Sequence, residues 1–209
     1  MFSLQTMFGK GDKFFGLLEA GAASARESAR ALGEFIATPP AQRSLERFKL
    51  ARQQERDISA RLSEELVNTF VTALDREDIE AINSALYKIP KVIEKFAERF
   101  MLAAERIGDV DFTVRAAMLE RACEVIEEMV GLLRKGMNLE ATKAMNDRIQ
   151  AIESEADRLI LELYRTAYQS ETDPMRYLIQ KELFELLEKA IDRVGDAGDV
   201  VYHTVLKNS

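Results

Sequence analysis

Apolar residues recur every three or four positions along almost the entire chain, a period that leaves little room for anything but α-helices. The run Met145, Ile149, Ile152, Ala156, Leu159, Leu163, Ala167 is the plainest instance, a single stripe down one helix face. Punctuation is sparse. With 10 Gly and 4 Pro in 209 residues, too few turns are available for a β-sandwich or barrel. The 47% hydrophobic content is enough for a buried core and argues against disorder.

The pattern and its interruptions predict six long helices. The first spans about 13–37 and stops at Thr38-Pro39-Pro40, where Thr38 is placed to cap the second helix and Pro39 to open it. The second runs to about residue 72. Asp75-Arg76-Glu77-Asp78 then reads as a cap with acids in the first turn of a third helix that runs to Ile107, with Pro90 inside it as a kink. Gly108-Asp109 is the middle break. The fourth helix covers about 111–135, and Gly136-Met137-Asn138 ends it and caps the fifth, which runs to about 169. Asp173-Pro174 caps and opens the sixth, which reaches about 206. The middle break divides the chain into two halves of one plan, 1–108 and 109–209. The expected fold is therefore all-α: six long helices in two side-by-side three-helix bundles, with one continuous six-helix bundle as the alternative.

Composition excludes several chemistries. One Cys rules out a disulfide framework or a Cys-based zinc site, and one His rules out the usual zinc, haem and Ser-His-Asp constellations. Cys123 lies on the stripe of Leu119, Ala122 and Ile126 and reads as a buried, inert thiol. His203 reads as a core-edge or surface residue. With Val200 three positions before it, no Glu-x-x-His motif of a ferritin-like di-iron site exists. Gly9-Lys10-Gly11 lacks the phosphate-loop spacing. The Met and Phe residues read as mostly core, with Phe96, Phe100 and Met101 as the alternative exposed surface. No run is apolar for long enough to span a membrane, and Met1 to Phe8 carries no signal-peptide pattern; a cytoplasmic protein is expected. A net charge of −7 disfavours nucleic acid as a partner. That excess is confined to one half: residues 1–108 hold 16 basic and 16 acidic side chains, residues 109–209 hold 13 and 20. The asymmetry reads either as a cation site or as a solvated acidic face.

The fifth helix carries Glu153 and Asp157, the sixth Glu188 and Asp192. Each pair is four apart and so shares a helix face. Among 36 acidic residues such pairs arise by chance, but the symmetry is more telling. Glu153 with Asp192, and Asp157 with Glu188, have the same midpoint, 172.5, inside the Glu171–Pro174 turn. In an antiparallel hairpin both pairs return to one height, roughly 25 Å from the turn at about 1.5 Å per residue. Four partly buried carboxylates across one seam need compensation. A hard cation such as Mg²⁺, Ca²⁺, Mn²⁺ or iron can supply it, or the neighbouring Arg158, Lys189 and Arg193 can, leaving an ordinary ion-paired surface. Asp196 and Asp199 continue the acidic line. The first half, shifted by 100 or 101 positions, offers Gln53, Asp57, Tyr87 and Lys91 in place of the four acids. It reads as the same scaffold with the cluster lost, Lys91 being placed to neutralise Asp57.

The paired E-x-x-x-D helices and the two-fold plan resemble the PhoU family of phosphate-transport regulators. The closer resemblance is to the PhoU-like branch of accessory proteins to low-affinity inorganic phosphate (Pit) transporters. It is carried by Thr69-Phe70-Val71-Thr72-Ala73-Leu74-Asp75-Arg76-Glu77-Asp78-Ile79, by Ile149-x-x-Ile152-Glu153-x-x-x-Asp157 and Glu188-x-x-x-Asp192, by Val205-Leu206-Lys207 and by Phe14-Phe15-x-Leu17-Leu18. The resemblance implies a cytoplasmic, non-catalytic protein of two three-helix bundles that works with a phosphate transporter or its regulatory proteins. It also implies a metal, often multinuclear iron or zinc, on Glu153, Asp157, Glu188 and Asp192. Gln53, Tyr87 and Lys91 depart from the pattern, as does Ala73 where the family turn has Pro, so no metal is expected in the first half. The expected function is a regulatory or accessory role in inorganic phosphate transport, with a divalent or trivalent ion (iron, zinc, Mn, Mg or Ca) as cofactor. The alternative is a metal-free helical scaffold. A metal-dependent hydrolase or oxidase lacks a separate candidate base. Attachment to a membrane is peripheral at most, and both monomer and homodimer are compatible with the sequence.

Overall fold

The structure is a computed structural model and describes residues 4–108, 110–170 and 173–209. The helical period is realised as six α-helices with no strand among the described residues: α1 (Leu4–Ala37), α2 (Glu46–Asn68), α3 (Arg76–Ala103), α4 (Thr113–Arg134), α5 (Leu139–Ser170) and α6 (Pro174–Asn208). None of these helices is long and apolar enough to cross a membrane. Met1–Ser3, Asp109 of the middle break, and Glu171 and Thr172 of the last turn lie outside the described residues.

The first helix starts nine residues earlier than the periodicity indicates, at Leu4. The connection to α2 also differs from the expected Thr38 cap. The Thr38 hydroxyl donates backwards to the Glu34 carbonyl at 2.7 Å, Pro40–Gln42 forms a single 3₁₀ turn, and α2 begins only at Glu46. Arg43 closes α1 in place of a backbone cap. Its guanidinium donates to the carbonyls of Phe35 (3.2 Å), Ile36 (3.1 Å) and Thr38 (2.9 Å) and lies 4.8 Å above the Phe100 ring. These are the acceptors that a helix end leaves without partners. Asp75 stands at the N-cap position of α3, but its side chain makes no capping bond and pairs with Lys207 instead; the caps of α5 and α6 follow the sequence. Asn138 Oδ1 accepts from the Ala141 amide at 2.8 Å, and the Asp173 side chain accepts from Met175 and Arg176 ahead of Pro174. Gly136 and Met137 take positive φ values, 110° and 52°. This folds the end of α4 back so that Lys135 and Met137 both donate to the Leu132 carbonyl. Helix α3 runs unbroken past Pro90.

Within each half the three helices pack on one another, α1 to α3 and α4 to α6. Between the halves α1 lies along α4 and α3 along α6, and these are the two most extensive helix pairings in the molecule. The buried apolar residues of both halves form one continuous core. A row of aromatic rings runs through it near the α3–α4 connection: Phe48 on Phe35, Phe35 on Phe100, Phe100 and Phe96 on Phe112, and Phe112 on Phe184, with centroid separations of 5.1–5.8 Å. Phe96 and Phe100 are thus core, whereas Phe70, in the connection between α2 and α3, is 96% exposed. Cys123 is buried, and desolvation raises its thiol pKa far above the usual range, so it is inert.

Candidate metal centre

Helices α5 and α6 do form an antiparallel hairpin in the expected register. Asn146 Nδ2 donates to Asp199 Oδ1 at 2.8 Å, and these two residues share the 172.5 midpoint of Glu153 and Asp192. Near the turn, the Tyr164 hydroxyl donates to Glu185 Oε1 at 3.4 Å.

The hairpin brings Glu153, Asp157, Glu188 and Asp192 within electrostatic reach of one another. Burial, then Asp192 and Asp157, push the Glu153 carboxyl up to about 7, with Asp199 and Asp196 adding to the effect. Glu188 is raised by burial and then by Asp192 and Asp157. Asp192 is raised by burial, then by Asp157 and Asp196, with Arg193 opposing. Glu153, Glu188 and Asp192 are half-buried, and Asp157 is exposed. The basic neighbours compensate the four acids only in part, Arg193 acting on Asp192 from a distance and without an ion pair. Arg193 bonds Asp196 at 2.6 Å, and none of the four acids has an ion pair among the described residues.

The donors are all carboxylate oxygens, which suits a hard cation, and they carry like-charge repulsion that a cation would relieve. As the side chains stand, no three Asp, Glu, His or Cys groups among the described residues converge closely enough to hold a metal ion. The site therefore fits a cation in the chemistry of its donors, while ligation would require the carboxylates to turn toward a common point.

Two features were not singled out from the sequence. The first is Gly195. A Cβ there would lie 2.4 Å from Glu153 Oε2 and 3.2 Å from its Cδ, so the missing side chain makes room for the Glu153 carboxylate against α6. Gly198, one turn on, likewise accommodates Asn146 and Ile149. The Gly-x-x-Gly spacing was the available signal, since it puts two small residues on one helix face. In a Gly195→Ala variant the carboxylate, at the end of a flexible side chain, swings toward water. The near-neutral titration of Glu153, read by carboxyl ¹³C NMR, then moves down into the ordinary carboxylate range. A Glu153 still titrating near 7 would contradict this packing. The second feature is a polar belt on the far side of the acids: Asp199 Oδ1 also accepts from Gln150 Nε2 at 3.3 Å, and its carbonyl meets the exposed His203 Nδ1 at 2.7 Å.

The corresponding place in the first half is occupied by protein. Arg52, 5% exposed, donates to the Tyr87 hydroxyl at 2.9 Å and the Tyr87 carbonyl at 3.3 Å. It sits 4.5 Å from the Tyr87 ring centroid and pairs with Glu94 at 3.4 Å. Asp57 accepts from Gln53 at 2.9 Å, and no ion pair joins it to Lys91 among the described residues. An internal cation, the Arg52 guanidinium, thus stands close to where the second half gathers acids.

No family model matches the chain. A protein of Rhizobium meliloti (strain 1021) that bears the name pit accessory protein is 23% identical over 201 residues, which is 94% of each chain. The UPF0111 protein YkaA of Bacillus subtilis (strain 168) is 22% identical over 145 residues, 69% of this chain and 70% of that one. Among solved structures, a PhoU-like protein from Shewanella oneidensis MR-1 superposes with a TM-score of 0.81 at 15% identity, covering 93% of this chain and 99% of that one. A second Shewanella oneidensis MR-1 structure, titled a PhoU-like phosphate regulatory protein, gives a TM-score of 0.79 at 14% identity with the same coverage. In fold this chain is PhoU-like, and in sequence it is similar along nearly its whole length to the Rhizobium meliloti protein.

Proposed function

We propose that this chain is a non-catalytic accessory or regulatory protein of inorganic phosphate transport, cytoplasmic, that docks on a transporter and binds a metal ion between α5 and α6. The relative bearing the pit accessory name, matched along 94% of both chains, supports the transport role. The metal reading rests on one observation: three half-buried carboxylates and a fourth beside them are gathered on facing helices with no ion pair among the described residues to offset their repulsion. Glu153, Asp157, Glu188 and Asp192 would hold the ion. It would supply positive charge and cross-bridge the hairpin. The protein's part is to set the four acids at one height and, through Gly195, to let Glu153 lie flat against α6.

Metal analysis of protein purified without chelator, beside the Glu153→Gln/Asp157→Asn variant, tests this. The expected result is bound metal in the parent, little in the variant, and a melting temperature of the parent that falls with chelator. Equal, negligible metal in both removes the metal from the proposal. The alternative, a metal-free scaffold, is favoured by the carboxylates not converging as they stand, and it predicts a melting temperature indifferent to chelator. The transport role is tested separately, by asking whether a phosphate permease is retained on the immobilised protein from solubilised native membranes.

A further inference from the structure

The connection between α2 and α3 presents an apolar tip to water. Phe70 is 96% exposed, Val67 83% and Val71 57%. Exposed apolar side chains scattered singly are ordinary, but three within five residues at one end of a bundle are not. This tip is also held in shape. The Arg76 guanidinium donates to the Leu66 and Thr69 carbonyls, and the Thr72 hydroxyl donates to the Leu74 carbonyl at 2.6 Å. Thr69 and Leu74, on either side of the tip, are buried at 4% exposure each. The C-terminal turn of α6 is anchored to it, because Lys207 pairs with Asp75 at 2.6 Å and Asp78 at 3.0 Å. That brings the half-exposed Leu206 to the same end. The ordering cost of a binding loop is thus met before any partner arrives.

The charge around the tip selects the occupant. Lys207 is committed to Asp75 and Asp78, and Lys13 to Glu65; Arg76, held on the Leu66 and Thr69 carbonyls, adds one positive charge, fewer than the acids around it. The exposed acids Glu64, Glu77 and Glu80 have no ion pair among the described residues. An anionic lipid surface would be repelled by them. A second copy meeting this one tip to tip would set the same acids against each other. A segment that is both apolar and basic satisfies both features, and membrane proteins carry such segments where Lys and Arg gather beside their spans.

We propose that the α2–α3 tip, Val67, Phe70 and Val71 within its acidic rim, is the surface on which this protein docks a basic, apolar membrane-proximal segment of its transporter. This rests on the transport reading above and specifies where contact is made.

The probe is a fluorescein-labelled peptide of alternating Leu and Lys, with a Leu/Glu peptide as its control, measured by anisotropy against the full chain and the Val67→Asp/Phe70→Asp variant. Both substituted side chains lie in water, so the variant should melt as the parent does. The expected result is binding of the Leu/Lys peptide alone, weakened about tenfold or more in the variant, as for loss of central apolar anchors, and weakened by added salt. No binding, or equal binding by parent and variant, overturns the proposal. So does tip-dependent sedimentation with phosphatidylglycerol vesicles, or a tip-dependent dimer, either of which would assign the surface to lipid or to a second copy. Permease retention from solubilised membranes separates the two readings. If parent and variant retain it equally, the docking surface fails and the transport role stands. If neither retains it while the peptide binds at the tip, the surface stands for a basic, apolar segment of another protein and the transport role fails.

Discussion

Replacing Phe112 by Ala lowers the stability of the whole chain by about 3–5 kcal/mol, the cost of removing a fully buried phenyl ring from a close-packed core. Phe112 is 1% exposed and touches rings from both halves: Phe96 and Phe100 of α3, each at 5.7 Å, and Phe184 of α6 at 5.1 Å. Because these neighbours are held by different helix pairs, they have little freedom to close over the space, which places the loss in the upper part of that range. Urea unfolding followed by circular dichroism measures it. One cooperative transition, shifted as a whole, is expected because the core is continuous. Two separated transitions, only one of them shifted, would show that the seam between the halves is weaker than its packing implies.

Glu55→Gln is expected to stabilise the protein at alkaline pH and to leave it nearly unchanged in acid. Glu55 is 1% exposed on α2, and its Oε1 has no hydrogen-bond partner. Desolvation pushes the carboxyl up to about 7, against the opposing pull of Ser24 on α1 and Arg52 on its own helix. The folded carboxyl therefore holds its proton at pH values where the unfolded chain, near the ordinary 4.5, has already released it. Folding binds a proton in that window, so this residue erodes stability as pH rises from about 4.5 to about 7 and costs a constant amount above. The gap corresponds to roughly 3 kcal/mol at about 1.4 kcal/mol per unit. An amide carries no such charge and keeps most of the shape. The difference in unfolding free energy between variant and parent, measured at pH 4, 6 and 8, should grow across the series. A flat difference, or one that grows toward acid, would mean that Glu55 is ionised in the folded protein.

Local and periodic features were legible in the residues themselves. Six stripes predicted six helices, and the Asn138 and Asp173 caps were legible because each of these bonds is made within its own turn, whereas Asp75 is drawn off its helix end by Lys207. The α5–α6 register was legible because equal distances from one turn have a single antiparallel solution. Features set by tertiary partners were not. Arg43 closing α1 in place of the expected Thr38 cap depends on a side chain reaching back five to eight residues over the Phe100 ring. Arg52 and Glu55 sit on a helix rich in charged residues, and nothing in their spacing distinguishes them from solvated neighbours; only the packing of α1 and α3 buries them. The exposure of Phe70 was not legible either, since the residue type does not say which way a connection turns its ring. For the four acids the sequence specified which face and which height they share, but the turning of each carboxylate belongs to side-chain torsions that no spacing encodes.

The ring row from Phe48 to Phe184 bears on how far one half can move against the other. Swinging one half away from the other would strip aromatic faces on both sides of the seam into water, so a hinge there is costly. If a cation binds at the α5–α6 carboxylates as proposed, its effect on a docked partner would then be a change of electrostatic potential at the surface and not a change of shape.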